Sequence, residues 1–365
     1  MQAPAPRAST ARRLVRWALR VGAALLGLVA LLLVVLLLLE WRPPAEEDTP
    51  VRAGTAPQPP PASELTLLTW NLGYAGLDRQ ADFFFDGGTQ SRAASRARVE
   101  ENLSGLTAFL RGQAVDALLL QEVDSPSSRS FGVDEVGALA AALPGRHLAR
   151  ALNYRAAWVP APLTRPMGSV ESGLVTLTRI RPSLARRLQL PGDFPWPERV
   201  FQLKRCVHEV RLPAADGRPW TLLHVHLATF DRGGALRRQQ MDFLRALMQR
   251  RYAEGQHVIV GGDWNQALPG LSERSFPASD PTPDWFQRVP DGWTPSGWTW
   301  AFDAATPSLR AVSASYRPGQ TFLTSVDGFL LGPDVVLESV RAHDLGFRHT
   351  DHNPVELKVR LAGAR

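Results

Sequence analysis

H-V-I-V-G-G-D-W-N-Q, residues 257–266, decides how this chain is read. Val258, Ile259 and Val260 are β-branched and bounded by Gly255 behind and Gly261-Gly262 ahead, the pattern of a short buried strand. The two glycines let the backbone turn sharply and come close to whatever lies beside it. Asp263 and Asn265 follow with one residue between them, and side chains so spaced on extended backbone face the same way. A carboxylate there can hold a metal or an attacking water, and a carboxamide can orient a phosphate oxygen. The same residues also spell an ordinary strand-end Asx turn. The flanking sequence has to distinguish the two.

Working outward, strands and helices alternate. Leu65–Trp70 is a strand ending at Asn71, Val99–Leu110 has the helical period, and Ala117–Leu120 is an apolar strand ending at Gln121-Glu122. Val136–Leu143 is a helix and Gly173–Thr178 a strand; Lys204–Leu212 and Trp220–Leu227 follow as strands, and Leu236–Tyr252 as an amphipathic helix. After the quoted stretch come a long irregular segment from Pro269 to Gln320, a strand over Phe322–Leu331 and a last strand over Val355–Val359. There is no internal repeat. Residues 64–365 therefore form one α/β domain with many strands.

The N-terminus is of another kind. Val21–Leu39 is uncharged and leucine-rich; as a helix it spans about 28 Å, close to the hydrocarbon thickness of a bilayer. Five arginines precede it and Glu46, Glu47 and Asp48 follow soon after, which by the positive-inside rule leaves residues 1–20 as a basic cytoplasmic tail and puts the body on the far side. The run is longer than a signal-peptide core and ends without small residues at a cleavage site, so a single-pass signal anchor in the cell membrane is expected, with secretion after cleavage as the alternative. Residues 40–63, with seven prolines from Pro43 to Pro61, read as an extended linker with little scope for helix or sheet. Of the net charge of +6, residues 1–42 supply five through six arginines against Glu40, leaving the rest of the chain at +1. The pI of about 10.2 thus belongs to the tail and not to a basic nucleic-acid-binding body. A single cysteine, Cys206, excludes intrachain disulfides and a cysteine-based metal site.

Polar residues fall at strand ends, where sites in α/β proteins are assembled. Asn71, Glu122, His226, Asp263 and Asn265 sit at or just beyond such ends, Asp327 lies inside a strand, and Asp351-His352 precedes the last one. T-W-N-L-G (Thr69–Gly73), L-L-Q-E-V-D (Leu119–Asp124), H-V-H-L (His224–Leu227), G-G-D-W-N (Gly261–Asn265), S-V-D-G-F (Ser325–Phe329) and T-D-H-N-P-V (Thr350–Val355), in that order, resemble the endonuclease/exonuclease/phosphatase superfamily with its deoxyribonuclease I-like fold. The resemblance implies a four-layer sandwich of two mixed β-sheets flanked by helices, and Mg²⁺- or Mn²⁺-dependent hydrolysis of phosphate esters. It implies Glu122 as principal metal ligand, with Asn71 and Asp351 as further ligands or outer-shell groups. Oxygen donors of this kind suit a hard divalent ion. It implies further that His352, oriented by Asp327, contacts the scissile phosphate or acts as base. Asp263 would hold the attacking water, Asn265 a phosphate oxygen, and His226 would stabilise the transition state or protonate the leaving oxygen. Glu171 matches loosely the carboxylate that some members place behind the histidine equivalent to His226.

Substrate choice is expected in the surrounding loops. Arg92, Arg96 and Arg98 after the D-F-F-F-D-G-G stretch either take a phosphate or form a solvated helix start. Trp285, Trp293, Trp298 and Trp300 either stack on a substrate or pin down the long loop, and Arg310 is a candidate phosphate contact. The expected partners are a phosphoester substrate, either nucleic acid or a phospholipid headgroup, and the membrane through residues 21–39. No obligate protein partner is evident. A catalytically inactive binding module is the other class, set aside because no core motif residue is missing.

Overall fold

The computed structural model describes residues 8–363; residues 1–7 of the basic tail lie outside the described residues. In chain order the helices are α1 (Ala8–Leu39), α2 (Arg96–Arg111), α3 (Glu135–Ala142) and α4 (Ala235–Ala253). The strands are β1 (Glu46–Asp48), β2 (Val51–Arg52), β3 (Glu64–Asn71), β4 (Ala117–Asp124), β5 (His147–Val159), β6 (Gly168–Thr178), β7 (Leu184–Gln189) and β8 (Cys206–Leu212). They continue with β9 (Trp220–His226), β10 (His257–Asp263), β11 (Thr299–Ala301), β12 (Leu309–Arg310), β13 (Leu323–Thr324), β14 (Asp327–Leu331), β15 (Val335–Ala342) and β16 (Val355–Leu361).

Two mixed seven-stranded sheets result, ordered β1-β7-β8-β9-β10-β14-β11 and β15-β16-β3-β4-β6-β5-β2. Each has one parallel pair, β9–β10 in the first and β3–β4 in the second. Period-2 alternation builds four layers. Leu65, Leu67 and Leu119 of the second sheet meet Leu222, Ile259 and Phe329 of the first in the central core. The alternate residues Leu68, Trp70 and Leu118 pack outward with Val99, Leu103 and Leu106 of α2 and Leu139 of α3. On the other side, Val258 and Val260 pack outward with Met241, Leu244 and Leu247 of α4. The expected sandwich is the one observed.

Several expectations change. The proline-rich residues 40–63 carry two short strands: β1 extends the first sheet by pairing with β7, and β2 extends the second by pairing with β5. Between them the chain crosses from one sheet edge to the other, with Pro50 at the crossing. Prolines permit this because β1 and β2 contain none and both lie at sheet edges. The strand expected over Phe322–Leu331 is two, β13 and β14, and Asp327 opens the second. β5, β7 and β15 carry no strong sequence signal. Helix α1 contains one long apolar span, Arg12–Leu39, with none of its apolar window buried, and is a candidate membrane span or signal sequence.

Candidate active site

Strand register brings the polar residues together. In the first sheet Asp263 pairs with His226 on β9 and with Asp327 on β14, so three adjacent strand ends present them side by side. In the second sheet Asn71 pairs with Gln121, and Glu122 follows in a bulge with a left-handed φ of 51°. The close approach that Gly261-Gly262 allows is real. Gly262 has φ 142°, and a Cβ there would overlap the backbone carbonyl of Val225.

Asn71 joins the two sheets. Its Nδ2 donates to Asp263 Oδ2 at 3.0 Å and lies 3.3 Å from Glu122 Oε1, while its Oδ1 accepts from Gly73 N–H. Asp263 also accepts from the Asn265 N–H at 2.8 Å, so the quoted stretch is an Asx turn and part of the site at once. Asn265 Nδ2 donates to the Leu227 carbonyl at 2.8 Å. His226 Nε2 is 3.4 Å from Asp263 Oδ2, and its buried Nδ1 has no partner. His352 Nδ1 is 2.7 Å from Asp327 Oδ2, which also accepts from Ser308 Oγ at 2.7 Å. Asn71, Glu122, His226, Asp263, Asn265, Asp351 and His352 all line one pocket; Asp327 stands behind it, fully buried. Every predicted site residue is therefore in or directly behind this pocket.

Burial sets the protonation states. Burial, reinforced by the Asp327 carboxylate, pushes Asp263 up to about 7 against the pull of His352, Asn71 and the Asn265 N–H. Burial also holds His226 well below the usual histidine range, aided by positive Arg205 and His352. For His352 burial works the other way and loses: the Asp327 charge and hydrogen bond carry it up to about 10. Asp351 is raised by burial, with His352 and Arg310 opposing and Glu122 adding to the rise. One histidine is thus neutral and the other an imidazolium.

Ligand-type atoms of Asp263, Asp327 and His352 lie within 4.8 Å of one another. Asp327 and His352 spend theirs on each other, so this trio is a proton-holding pair beside a carboxylate rather than a metal cage. Four carboxylates line the pocket, Asp86, Glu122, Asp263 and Asp351. Asp86 accepts from Trp285 and the Val312 N–H, and Asp263 from Asn71 and the Asn265 N–H, which leaves Glu122 and Asp351 as the oxygen donors best placed for an ion.

The loop candidates divide. Arg310 is buried and lines the same pocket, but its two terminal nitrogens donate to the carbonyls of Leu77, Asp78, Ala81, Ala311 and Ala314 and hold loops together, while its Nε has no partner among the described residues. Arg92 bonds the Pro166 carbonyl, while Arg96 and Arg98 pair with Glu100 and Glu101 on their own helix. Trp293, Trp298 and Trp300 pack with Trp264 in the α4-side core, pinning the long loop; only Trp285 lines the pocket. Glu171 pairs with Arg150 and Arg155 instead of standing behind His226. Sequence reasoning missed Arg205, whose charge acts on Glu122 and Asp263 and whose guanidinium reaches the His226 carbonyl at 3.4 Å. It also missed Arg129, 2.8 Å from Asp124 and 3.8 Å from Glu122, and Ser308. Arg205 lies in no recognisable motif; for Arg129, proximity to L-L-Q-E-V-D was the one available signal.

A two-sheet sandwich with carboxylates and a His–Asp pair gathered at facing strand ends is the architecture of a phosphoester hydrolase. The chain belongs to the endonuclease/exonuclease/phosphatase family, whose model matches residues 68–312. No curated protein matches it. Among solved structures it is similar to the endonuclease/exonuclease/phosphatase from Beutenbergia cavernae, at 18% identity and a TM-score of 0.54 over 82% of this chain and 72% of that one. It is also similar to the family protein from Leptotrichia buccalis, at 10% identity and a TM-score of 0.53 over 81% and 100% of the respective chains. Humanized D. rerio TDP2 matches at 13% identity and a TM-score of 0.50 over 82% and 100%. These likenesses speak to the fold.

Proposed function

We propose that the chain is a divalent-metal-dependent phosphodiesterase, anchored by residues 21–39 with its N-terminus cytoplasmic and its body outside the cytoplasm. The observation that carries this reading is the convergence on one pocket of Glu122, Asp351, Asp263 and the His352–Asp327 pair. The donor set fits Mg²⁺ or Mn²⁺: two carboxylates, one of them raised by burial and by the other's charge, form an oxygen-only site that a hard cation would relieve. Glu122 and Asp351 would hold the ion, and Asn71 would act from outside, fixing Glu122 and Asp263 through its amide. When bound, the ion supplies charge stabilisation at the phosphoryl oxygens.

The remaining roles follow from protonation. Asp263, titrating near 7, is matched to take a proton from an attacking water at neutral pH. His352, kept cationic and oriented by Asp327, donates to the phosphate and counters charge that grows in the transition state. Neutral His226 offers a hydrogen bond from Nε2, and Asn265, held by the Leu227 carbonyl, orients a phosphate oxygen. A nuclease is the second reading; the net charge of +1 beyond residue 42 and the consumed arginines weigh against it.

Hydrolysis of bis(p-nitrophenyl) phosphate and p-nitrophenyl phosphate by the full chain, with Mg²⁺, Mn²⁺ or EDTA, is the test. Turnover should need the ion and favour the diester. Asp263→Ala and His352→Ala should each lose about 10²–10⁴ in rate. No ion-dependent hydrolysis of either compound by the wild type would sink the reading.

A further inference from the structure

Outside α1, five large hydrophobic side chains are exposed among the described residues: Phe85, Trp158, Leu163, Trp196 and Phe230. They are not scattered. Phe230 lines the catalytic pocket and stacks on Phe85 at 5.3 Å. Neighbouring Phe83 also lines the pocket, and with Phe84 it packs against Val159 and Met167, the base of the β5–β6 hairpin that carries Trp158 and Leu163. The same cluster includes Phe201 and Leu203 of the β7–β8 loop, the loop that exposes Trp196. Tyr154 Oη ties hairpin to loop by donating to the Phe201 carbonyl at 2.9 Å. Phe85 and Phe230 thus stand at the pocket, and the cluster built by Phe83, Phe84, Val159, Met167, Phe201 and Leu203 links them to the two loop regions that expose Trp158, Leu163 and Trp196, a set of exposed apolar groups joined through one rim. Arg155 and Arg165 stand exposed among them.

The end of α1 is fastened to this same rim. Glu40, just past the helix, has a side chain only 2% exposed and pairs with Arg199 of the β7–β8 loop at 2.9 Å. Lys204 of that loop lies 3.9 Å from the same carboxylate, and Trp41 sits under the Arg187 guanidinium at 5.4 Å. A helix crossing a bilayer delivers its last apolar residue to the headgroup level. The loop clamped to it is then held at that level, with tryptophans, a leucine and arginines around it, the composition that partitions into an interface.

Resting on the phosphodiesterase reading, we infer that the rim formed by Phe85, Trp158, Leu163, Trp196 and Phe230 lies on the membrane that α1 crosses. The pocket opens against that surface, and its substrate is a phosphodiester of a membrane lipid. Anchoring keeps the rim at a high effective concentration on the bilayer, so each side chain needs to add only modest affinity.

Two measurements on the full chain in nanodiscs of phosphatidylcholine and phosphatidylglycerol test this. Cys206 is buried, so a spin label on Leu163→Cys is site-selective. It should report oxygen access and exclusion of a nickel chelate, whereas Ser339→Cys, on β15 at the opposite edge of the second sheet, should report water. Equal water exposure of the two labels overturns the docking. A Leu163 label already shielded in detergent without lipid marks a second copy or a protein partner and overturns the membrane as occupant. In the second measurement, Trp158→Asp/Leu163→Asp should cut hydrolysis of the nanodisc phosphodiesters about tenfold or more and leave bis(p-nitrophenyl) phosphate unchanged. Turnover of the soluble ester with none of the lipid, or equal rates for variant and wild type on both, overturns the substrate assignment. Turnover of neither sinks the hydrolase reading and the substrate with it, while the label depth still decides the orientation.

Discussion

Replacing Asp327 with Asn separates the charge of the His–carboxylate pair from its shape. Asp327 is fully buried and its Oδ2 is 2.7 Å from His352 Nδ1, so Asn fits the same space and can still accept a hydrogen bond. What disappears is the negative charge that carries His352 up to about 10. Burial, then opposed only by the smaller pulls of Asp351 and Asp263, draws the imidazole below its ordinary value near 6.5. In the wild type the folded value lies above the unfolded one. The imidazolium's contribution is therefore complete below pH 6.5 and lost as pH rises through 10. At pH 7.5 it amounts to about 3 kcal/mol. Asp327→Asn should accordingly be about 3 kcal/mol less stable at pH 7.5 by urea unfolding of the metal-free protein, with the gap closing above pH 10. The His352 proton resonance should titrate below 6.5 in the variant, and kcat/KM for bis(p-nitrophenyl) phosphate at pH 7.5 should fall about 10²–10⁴. A gap that stays constant from pH 6 to pH 10.5, or a rate within about threefold of wild type, would refute the role given to the pair.

Two more outcomes are expected. His208, sealed between the sheets against Thr49 and Thr176, is held down to about 3 by burial alone; its folded value lies below the unfolded one, so its contribution is whole above pH 6.5 and erodes as pH falls. Between pH 7.5 and pH 5 the wild type should lose about 2 kcal/mol more than His208→Gln, read by denaturant midpoints at the two pH values. Arg310→Met should cost about 2–4 kcal/mol of stability through the carbonyls it orphans, yet leave KM for the soluble diester within about twofold, since its terminal nitrogens, although at the pocket wall, are already spent on loop carbonyls. A large KM rise in a stably folded Arg310→Met protein would restore it as a phosphate contact.

The readability of this fold in its sequence varied with where each strand lies. β4 and β10, buried on both faces, announce themselves as unbroken apolar runs. β5 does not, because alanines fill its inward positions and Arg150 and Arg155 its outward ones, and β7 and β15 are edge-side strands rich in charge. β1 and β2 lie hidden among prolines because their pairing partners are more than ninety residues away and leave no local pattern. The site was legible for a different reason. Its residues sit at strand ends beside glycines and turns, where polar side chains interrupt apolar runs. What could not be read was how guanidiniums are spent: Arg310 and Arg92 look free in sequence, and Arg205 looks incidental, until the loops fold around them.

The string of buried polar groups through the core has a consequence for Glu122. Thr49, His208, Thr176, His224, Gln121 and Thr69 form a continuous line of side-chain hydrogen bonds from the crossing segment between β1 and β2 to the strand end beside Glu122. Both histidines are kept neutral by burial, so the line carries no charge that would need a counter-ion. Such a string costs more than apolar packing would. It ends where the backbone is strained: Glu122 holds φ 51°, unfavourable for a residue with a long side chain by roughly 1 kcal/mol or more. Gln121 is pinned on one side by His224 and Thr69 and on the other by the Leu72 N–H bonding its carbonyl at 3.0 Å. With Gln121 fixed and Asn71 and Arg129 flanking the carboxylate, the bulge cannot relax, and Glu122 is aimed across the gap at Asp263 and His226. The quoted stretch supplies one wall of the pocket, and this line of side chains holds the opposite wall in place.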